Sequence, residues 1–271
     1  MNALYRLFVV ACCVAAVAPI AWHGLSSLKS PAELAMTPPT LMPHDPTLAN
    51  YQELLLRKPF LRYYINSFTV ASMTSVVSVL IASFAAFQLA RLRGRLRSGI
   101  RSALLAIAFF PPIVFLFPLY ELIRAAGLVN HPWGLILPYA ALNLPFAIWF
   151  LTGAFEQLPY ELEEAAAIDG LTRFQTYRLV ILPLVTPALI TAGILVFIFA
   201  WNEFMLALTF INIESQKTVT LGVATLSGAF TFEIPWGQIA AGVIVSSLPL
   251  IVLLILFQRR IVAGLTAGAV K

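Results

Sequence analysis

Apolar and polar positions fall into long blocks along this chain. Six apolar stretches, roughly Leu7–Leu25, Tyr64–Leu89, Ile100–Ile123, Trp133–Phe155, Pro187–Phe210 and Trp236–Phe257, are long enough as helices to cross about 30 Å of hydrocarbon. They predict an all-α, polytopic membrane protein with six transmembrane helices. Residues 1–28 hold the first span and 29–62 a segment outside the bilayer. Five more spans fill 63–257, with polar connections at 156–186 and 211–235, and 258–271 forms a tail. The first stretch also satisfies a cleaved signal peptide, with Arg6 before the apolar run and Ala16, Ala18 and Ala21 as small residues. Its length, and the five spans behind it, favour a retained helix.

The polar block Ser30–Pro59 contains Pro31, Pro38, Pro39, Pro43 and Pro46, which forbid a long helix before about Thr47. After it, Leu48, Tyr51, Leu54 and Leu55 are spaced for an amphipathic helix at the membrane surface.

A second polar block, Pro159–Pro187, cannot be a span. Pro159 suits a helix start, and Glu161, Glu163 and Glu164 stand where the helix dipole favours negative charge. Leu162, Ala165, Ala166 and Asp169 follow one face of a helix that is narrow and small. Gly170 reads as a left-handed stop. Thr172 with Gln175 forms a capping box that opens a second helix, and Pro183 and Pro187 are expected to close it. On these grounds alone the block is either an ordinary helical loop or a small-faced docking element.

Composition confirms the solvent. The 271 residues are 60% hydrophobic and 11% charged, where soluble domains carry about 25% charged residues; the mean hydropathy is +0.89. The net charge of +5 would point to nucleic acid in a soluble protein, but here the arginines sit between spans and report orientation. Arg91, Arg93, Arg95, Arg97 and Arg101 crowd one short loop, which marks it as cytoplasmic. With six spans the N- and C-termini and the Pro159–Pro187 block then share that side. Eleven Lys and Arg fall inside and six outside, the Arg57–Arg62 group running against the rule. Cys12 and Cys13 are adjacent in an apolar run and read as small packing residues.

Polar and proline positions inside the spans mark candidate path residues. Pro111, Pro112 and Pro118 break the third span's hydrogen-bond ladder. Asn143 and Pro145 lie in the fourth, and Ser246, Ser247 and Pro249 in the sixth. In the fifth stand Trp201, Asn202, Glu203 and Phe204. A carboxylate there must face protein or water. With Asn202 about 100° around the helix, it forms a polar patch beside aromatic faces, chemistry that suits a polyol. The competing reading is a polar clasp between subunits. There is no phosphate-binding GxxxxGK[ST] loop, no GxSxG and no HExxH, and His23, His44 and His131 have no metal spacing. No cofactor, metal or catalytic set is expected, so energy must arrive through a partner.

Glu164-Ala165-Ala166, Asp169-Gly170 and, nine residues on, Val180-Ile181-Leu182-Pro183 resemble the EAA loop of the permease subunits of bacterial ABC importers. Leu171 and Val180 depart mildly from the usual Ala and Ile. The WNEF string at Trp201–Phe204, the pairs Asn50-Tyr51 and Asn66-Ser67, and the end from Gln258 to Lys271 resemble the MalG-like carbohydrate branch. The resemblance implies a type I (MetI-like) permease fold in the bacterial inner membrane. It implies a coupling helix at Glu161, Glu163, Glu164, Ala165, Ala166, Asp169 and Gly170, with Leu182 and Pro183 behind it, docking on a separate ATPase. It also implies a tail (Gly264, Thr266, Gly268, Lys271) reaching the ATPase dimer, and an outer loop near Thr220–Phe230 reaching toward a binding protein. The expected partners are a second, MalF-like permease, two ATPase subunits, an extracytoplasmic sugar-binding protein and membrane lipid, but no nucleic acid. The expected function is ATP-driven import of a disaccharide or similar glycoside of maltose or trehalose type. Against it stand an ion-coupled secondary transporter using Glu203 and an intramembrane enzyme pairing Glu203 with a histidine.

Overall fold

A computed structural model describes residues 3–226 and 234–267 of the chain. Every regular element among them is helical. In chain order these are α1 (Ala3–Ser27), α2 (Pro31–Leu34), α3 (Ala49–Arg57), α4 (Phe60–Arg91), α5 (Gly94–Ala108), α6 (Leu116–Ala125), α7 (Pro132–Phe155), α8 (Glu161–Ile168), α9 (Arg173–Thr176), α10 (Leu182–Asn202), α11 (Met205–Phe210), α12 (Val219–Ala224) and α13 (Trp236–Ala267). Five stretches are each long and apolar enough to cross a membrane: α1, α4, α7, the run Arg173–Asn202, and α13.

The third expected span is a bent pair. α5 and the run Pro112–Ala125 meet at 84° and make a sixth crossing only if counted together. Pro111 and Pro112 stand at the bend, where their missing N–H groups end the ladder of α5. Pro118 breaks nothing, because it lies in the first turn of α6, where N–H groups need no intrahelical partner.

Two sequence expectations are corrected. Pro183 and Pro187 do not close the second loop helix: it runs on as one stretch from Arg173 to Asn202. Residues Tyr177–Ile181 widen into a π-helical turn, in which the Leu182 N–H reaches back to the Tyr177 carbonyl. One such turn absorbs the donor that Pro183 lacks without ending the helix. The fifth span does not reach Phe210 unbroken. α10 ends at Asn202, Glu203 is extended (φ −67°, ψ 132°), and α11 restarts at Met205.

The chain divides into two compact units, the divisions falling inside α4, between Gln216 and Lys217, and inside α13. The first comprises 1–66 and 217–251. Several of its polar groups pair with one another. The Asn50 amide donates to the Ser27 and Lys29 carbonyls at 2.9 and 2.8 Å, and Gln238 donates to Glu53 at 2.6 Å. The amphipathic α3 turns Leu54 fully inward and leaves Leu56 exposed. Gly222 lies against the Tyr63 ring, where a Cβ would come within 2.3 Å of Cδ2, so no side chain fits.

The second unit comprises 67–216 and 252–271, and its core positions the candidate site. Ala82, Ala86, Phe87 and Ala90 of α4 pack with Ala147, Leu151 and Phe155 of α7, and with Tyr177, Ile181, Val185, Ala192 and Val196. The alanines recur every four residues, and small side chains on one stripe let spanning helices approach closely. Tyr177 fills the middle. Its ring lies 4.8 Å from that of Phe84 and 5.2 Å from that of Phe87, and its hydroxyl is 2.6 Å from Ser83 Oγ. Both ends of the 156–172 connection are therefore rooted in one core.

Candidate functional site: the 156–186 loop and the helix break at Glu203

The loop helix α8 is built from local rules. Glu161, Glu163 and Glu164 fill its first turn, complementing the dipole. At its far end the Leu171 N–H bonds the Ala166 carbonyl at 3.0 Å and the Gly170 N–H that of Ala167 at 3.1 Å. This paired closure needs a left-handed residue, and Gly170 supplies it at φ 81°. Thr172 and Gln175 then make the expected capping box.

Tertiary contacts decide which face looks outward. Ala166 is buried, and the Arg91 Nε donates to the Glu163 carboxylate, both side chains being about four-fifths buried. Arg91 Nη1 lies at the limit of hydrogen-bonding distance from the Phe155 and Leu158 carbonyls, 3.4 and 3.5 Å away. Glu156, which opens the loop, accepts from Arg101 at 2.8 Å, with Arg97 at 3.6 Å. Facing away are Glu161, Glu164, Ala165, Ile168 and Asp169. Positions 161, 164, 165 and 168 follow i, i+3, i+4, i+7 spacing and form one stripe. Ile168 is 87% exposed and Phe174, beyond the turn, 60%. Gly170 is exposed, Leu182 half-buried beside the core, and Pro183 exposed in the first turn of α10.

Two sequence readings change here. The small face expected to be free is split: Ala166 packs inward and Ala165 outward. Glu163, expected to meet a partner's cation, is committed to Arg91. Arg91 had shown only as a mark of orientation, because nothing in sequence links it to a carboxylate 72 positions later.

The residues expected along a substrate path do not form one polar patch. Trp201 is buried and stacked on Phe197 at 5.7 Å. The Asn202 amide donates to the Ile198 carbonyl within its own helix at 2.8 Å, and that of Asn143 to Tyr139. Phe204 is part-exposed. Glu203 accepts from the Leu206 and Ala207 N–H groups at 2.8 and 3.2 Å, and the Tyr139 hydroxyl also donates to it. The carboxylate therefore caps α11 and ties it to α7. These contacts make a polar clasp within this chain.

The other end of α11 is tied as well. Asn130, at φ 62°, donates its N–H to the Phe210 carbonyl at 2.9 Å, and its Oδ1 accepts from Ile213 N at 3.0 Å. Neither Tyr139 nor Asn130 carries a local sequence signal for these roles, although Asn is the non-glycine residue that tolerates positive φ best. Among the described residues no three His, Cys, Asp or Glu side chains could hold a metal. In the tail, α13 continues through Gly264 and Thr266 to Ala267, so the expected flexible end begins as helix. Gly268 and Lys271 lie outside the described residues, as does the 227–230 part of the expected outer loop.

The chain is similar to known proteins in sequence and in fold. Residues 78–266 match the family model described as "Binding-protein-dependent transport system inner membrane component". The chain is 42% identical to the trehalose transport system permease protein SugB of Mycobacterium tuberculosis, over 94% of this chain and 93% of that one. It is 42% identical to the sulfoquinovosyl glycerol transport system permease protein SmoH of Agrobacterium fabrum, over 93% and 88%. It is 39% identical to the trehalose/maltose transport system permease protein MalG of Thermococcus litoralis, over 93% and 91%. A crystal structure of a bacterial ABC transporter involved in the import of the acidic polysaccharide alginate contains a chain with the same fold, with TM-score 0.78 at 22% identity over 94% of both chains.

Proposed function

We propose, for a chain that belongs to the binding-protein-dependent transport system inner membrane components, a role as one permease half of an ATP-driven importer of a disaccharide or similar glycoside. The relatives are transport permeases for trehalose, maltose and sulfoquinovosyl glycerol, and the substrate class is carried over from them. A second permease, two ATPase subunits and an extracytoplasmic binding protein complete the assembly, with both termini of this chain in the cytoplasm.

The observation that carries the coupling reading is the outward stripe Glu161, Glu164, Ala165 and Ile168 on a helix fastened from behind by Arg91. Exposed carboxylates supply charge for cationic groups on the ATPase, Ala165 allows close approach, and Ile168 offers an apolar knob. Closure of the ATPase dimer pushes α8. Because α7 and α10 share one core with the loop's roots, the push reaches the spans as a rigid-body motion. Glu163 acts here as a fastening, while Leu182 and Pro183 hold the loop's return to the core. Asn143, Trp201, Asn202, Glu203 and Phe204 line or support the path, Glu203 by fixing α11. A proton- or sodium-coupled mechanism through Glu203 has no support from the relatives, and in this structure its carboxylate caps a helix.

The test uses the complex purified with its partners and reconstituted in vesicles. A panel of trehalose, maltose and sulfoquinovosyl glycerol identifies the sugar that stimulates ATP hydrolysis. Gly170→Asp, which forces a side chain onto φ 81°, is expected to insert and assemble but to lose most stimulated uptake while ATP is still hydrolysed. Uptake at the wild-type rate by that variant would overturn the coupling role.

A further inference from the structure

The arginines between α4 and α5 exceed what orientation requires. Arg93, Arg97 and Arg101 recur every four residues and form a ladder along one side of the helix start. Five arginines in this loop face two carboxylates, because only Glu163 (on Arg91) and Glu156 (between Arg97 and Arg101) pair with them among the described residues. Glu156 thus serves two guanidinium groups with one charge. Arg93 and Arg95 are exposed and pair with no carboxylate among the described residues.

Two hollows lie along this ladder and share Arg97. One, of about 330 Å³, is lined by Arg97, Ser98, Arg101, Ser102, Leu105 and Trp149. Its neighbour, of about 420 Å³, takes in Arg93, Arg97, Glu156 and Tyr160. The first is graded from polar to apolar. Arginine and serine donors stand at one end. Leu105, one turn or two further along α5, and Trp149 of α7 stand at the other. α5 has no buried residue, so its face is open to what surrounds the protein. Trp and Tyr favour headgroup depth in a membrane, and basic pockets between spans suit phosphate headgroups.

We propose that the hollow at Arg97–Trp149 binds the headgroup of an anionic phospholipid. The phosphate oxygens bond to Arg97, Arg101 and the Ser98 and Ser102 hydroxyls, and one acyl chain runs past Leu105. Glu156 competes with the phosphate for the same guanidinium groups, so it sets the affinity. Since Glu156 opens the loop that carries α8 and is held by those same arginines, an occupied site loosens the root of that loop.

The experiment isolates the intact complex from nanodiscs of phosphatidylcholine alone, or with phosphatidylglycerol added, and counts retained lipids by native mass spectrometry. One phosphatidylglycerol per copy of this chain is expected, with no phosphatidylcholine held equally. Replacing both arginines (R97Q with R101Q) lowers its retention about thirtyfold, near fivefold for each arginine. Glu156→Gln raises retention about fivefold. That rise keeps the proposal open to refutation even where the double variant fails to assemble. Equal retention of the two lipids, unchanged retention in Glu156→Gln, or inorganic phosphate occupying the site while no lipid is kept each overturns it. So does crosslinking of residue 98 to another subunit in a complex that retains no lipid.

Discussion

Glu164 and Glu203 are both carboxylates in a chain with few charges, and the fold uses them in opposite ways. Around Glu164 the backbone is satisfied by its own helix, its turn and its capping box, so the side chains of the outward stripe are left over for another molecule. At the α10–α11 break the backbone is not satisfied. The first N–H groups of α11 have no upstream carbonyl, and Glu203 supplies the acceptors while Tyr139 supplies a proton donor. A polar side chain in a span is taken first by the nearest unmet backbone group, because no water competes for it there. Outside the apolar layer, water meets such needs and the side chain stays free. The contrast predicts which acidic residues answer to stability and which to function.

The largest effect falls on Glu203. Glu203→Leu strips the acceptor from two N–H groups and one hydroxyl, and is expected to lower stability by about 3 kcal/mol, measured by denaturant unfolding of the detergent-solubilised complex. Glu203→Gln keeps one acceptor oxygen and costs about 1 kcal/mol. If Glu203 instead binds substrate or a coupling ion, Glu203→Leu abolishes uptake at unchanged stability, and the comparison breaks.

Next in size is the fastening of α8. Arg91→Gln leaves the part-buried Glu163 without its cation and is expected to cost about 1–2 kcal/mol, and to reduce coupled uptake because α8 is held less firmly. The exchange of partners (R91E with E163R) restores part of both. Glu164→Gln, on the outward stripe, stays within about 0.5 kcal/mol of the wild type while lowering sugar-stimulated ATP hydrolysis. A stability loss in Glu164→Gln equal to that in Arg91→Gln would erase the distinction between the two faces.

These faces show where sequence reasoning stops. The loop's grammar was legible because it is local: Gly170, Thr172 and Gln175 act within five residues of one another, and their backbone roles follow from residue type. The spans were legible because the bilayer imposes their length. The faces of α8 were not, since Arg91 reaches Glu163 past three intervening helices of sequence. Nor was the break at Glu203: an apolar run reads the same whether or not a carboxylate within it caps a new helix, and Tyr139 lies 64 positions away. The π-helical turn at Tyr177–Ile181 was hidden for a different reason. Proline announces a missing donor, but whether the helix stops or widens depends on how firmly Tyr177 and Ile181 are already packed.

Glu33 tests whether commitment follows burial or membrane depth, with the smallest expected effect. It lies in the segment after α1, outside every span, yet it is 5% exposed. The Thr40 hydroxyl donates to it at 2.8 Å, and the His44 N–H and ring nitrogen both lie at 3.1 Å. These contacts, Thr40's first, hold its carboxyl below the ordinary carboxylate range, although burial pulls the other way. A carboxyl depressed in the folded state binds its proton less readily there than in the unfolded chain. Its contribution is therefore fully present above the ordinary value and is lost as pH falls through the lowered one. Amide protection factors across Ser30–His44, corrected for the intrinsic pH dependence of exchange, are expected to fall over that acidic window, while the cores of α4 and α7 stay protected. In Glu33→Gln the neutral side chain removes the titration, so exchange is faster at neutral pH and its added acid dependence disappears. If the segment in Glu33→Gln keeps the wild-type acid profile, another group is titrating. In that case a carboxylate buried beyond the bilayer behaves like the exposed Glu164, and the rule that burial commits a carboxylate holds only inside the apolar layer.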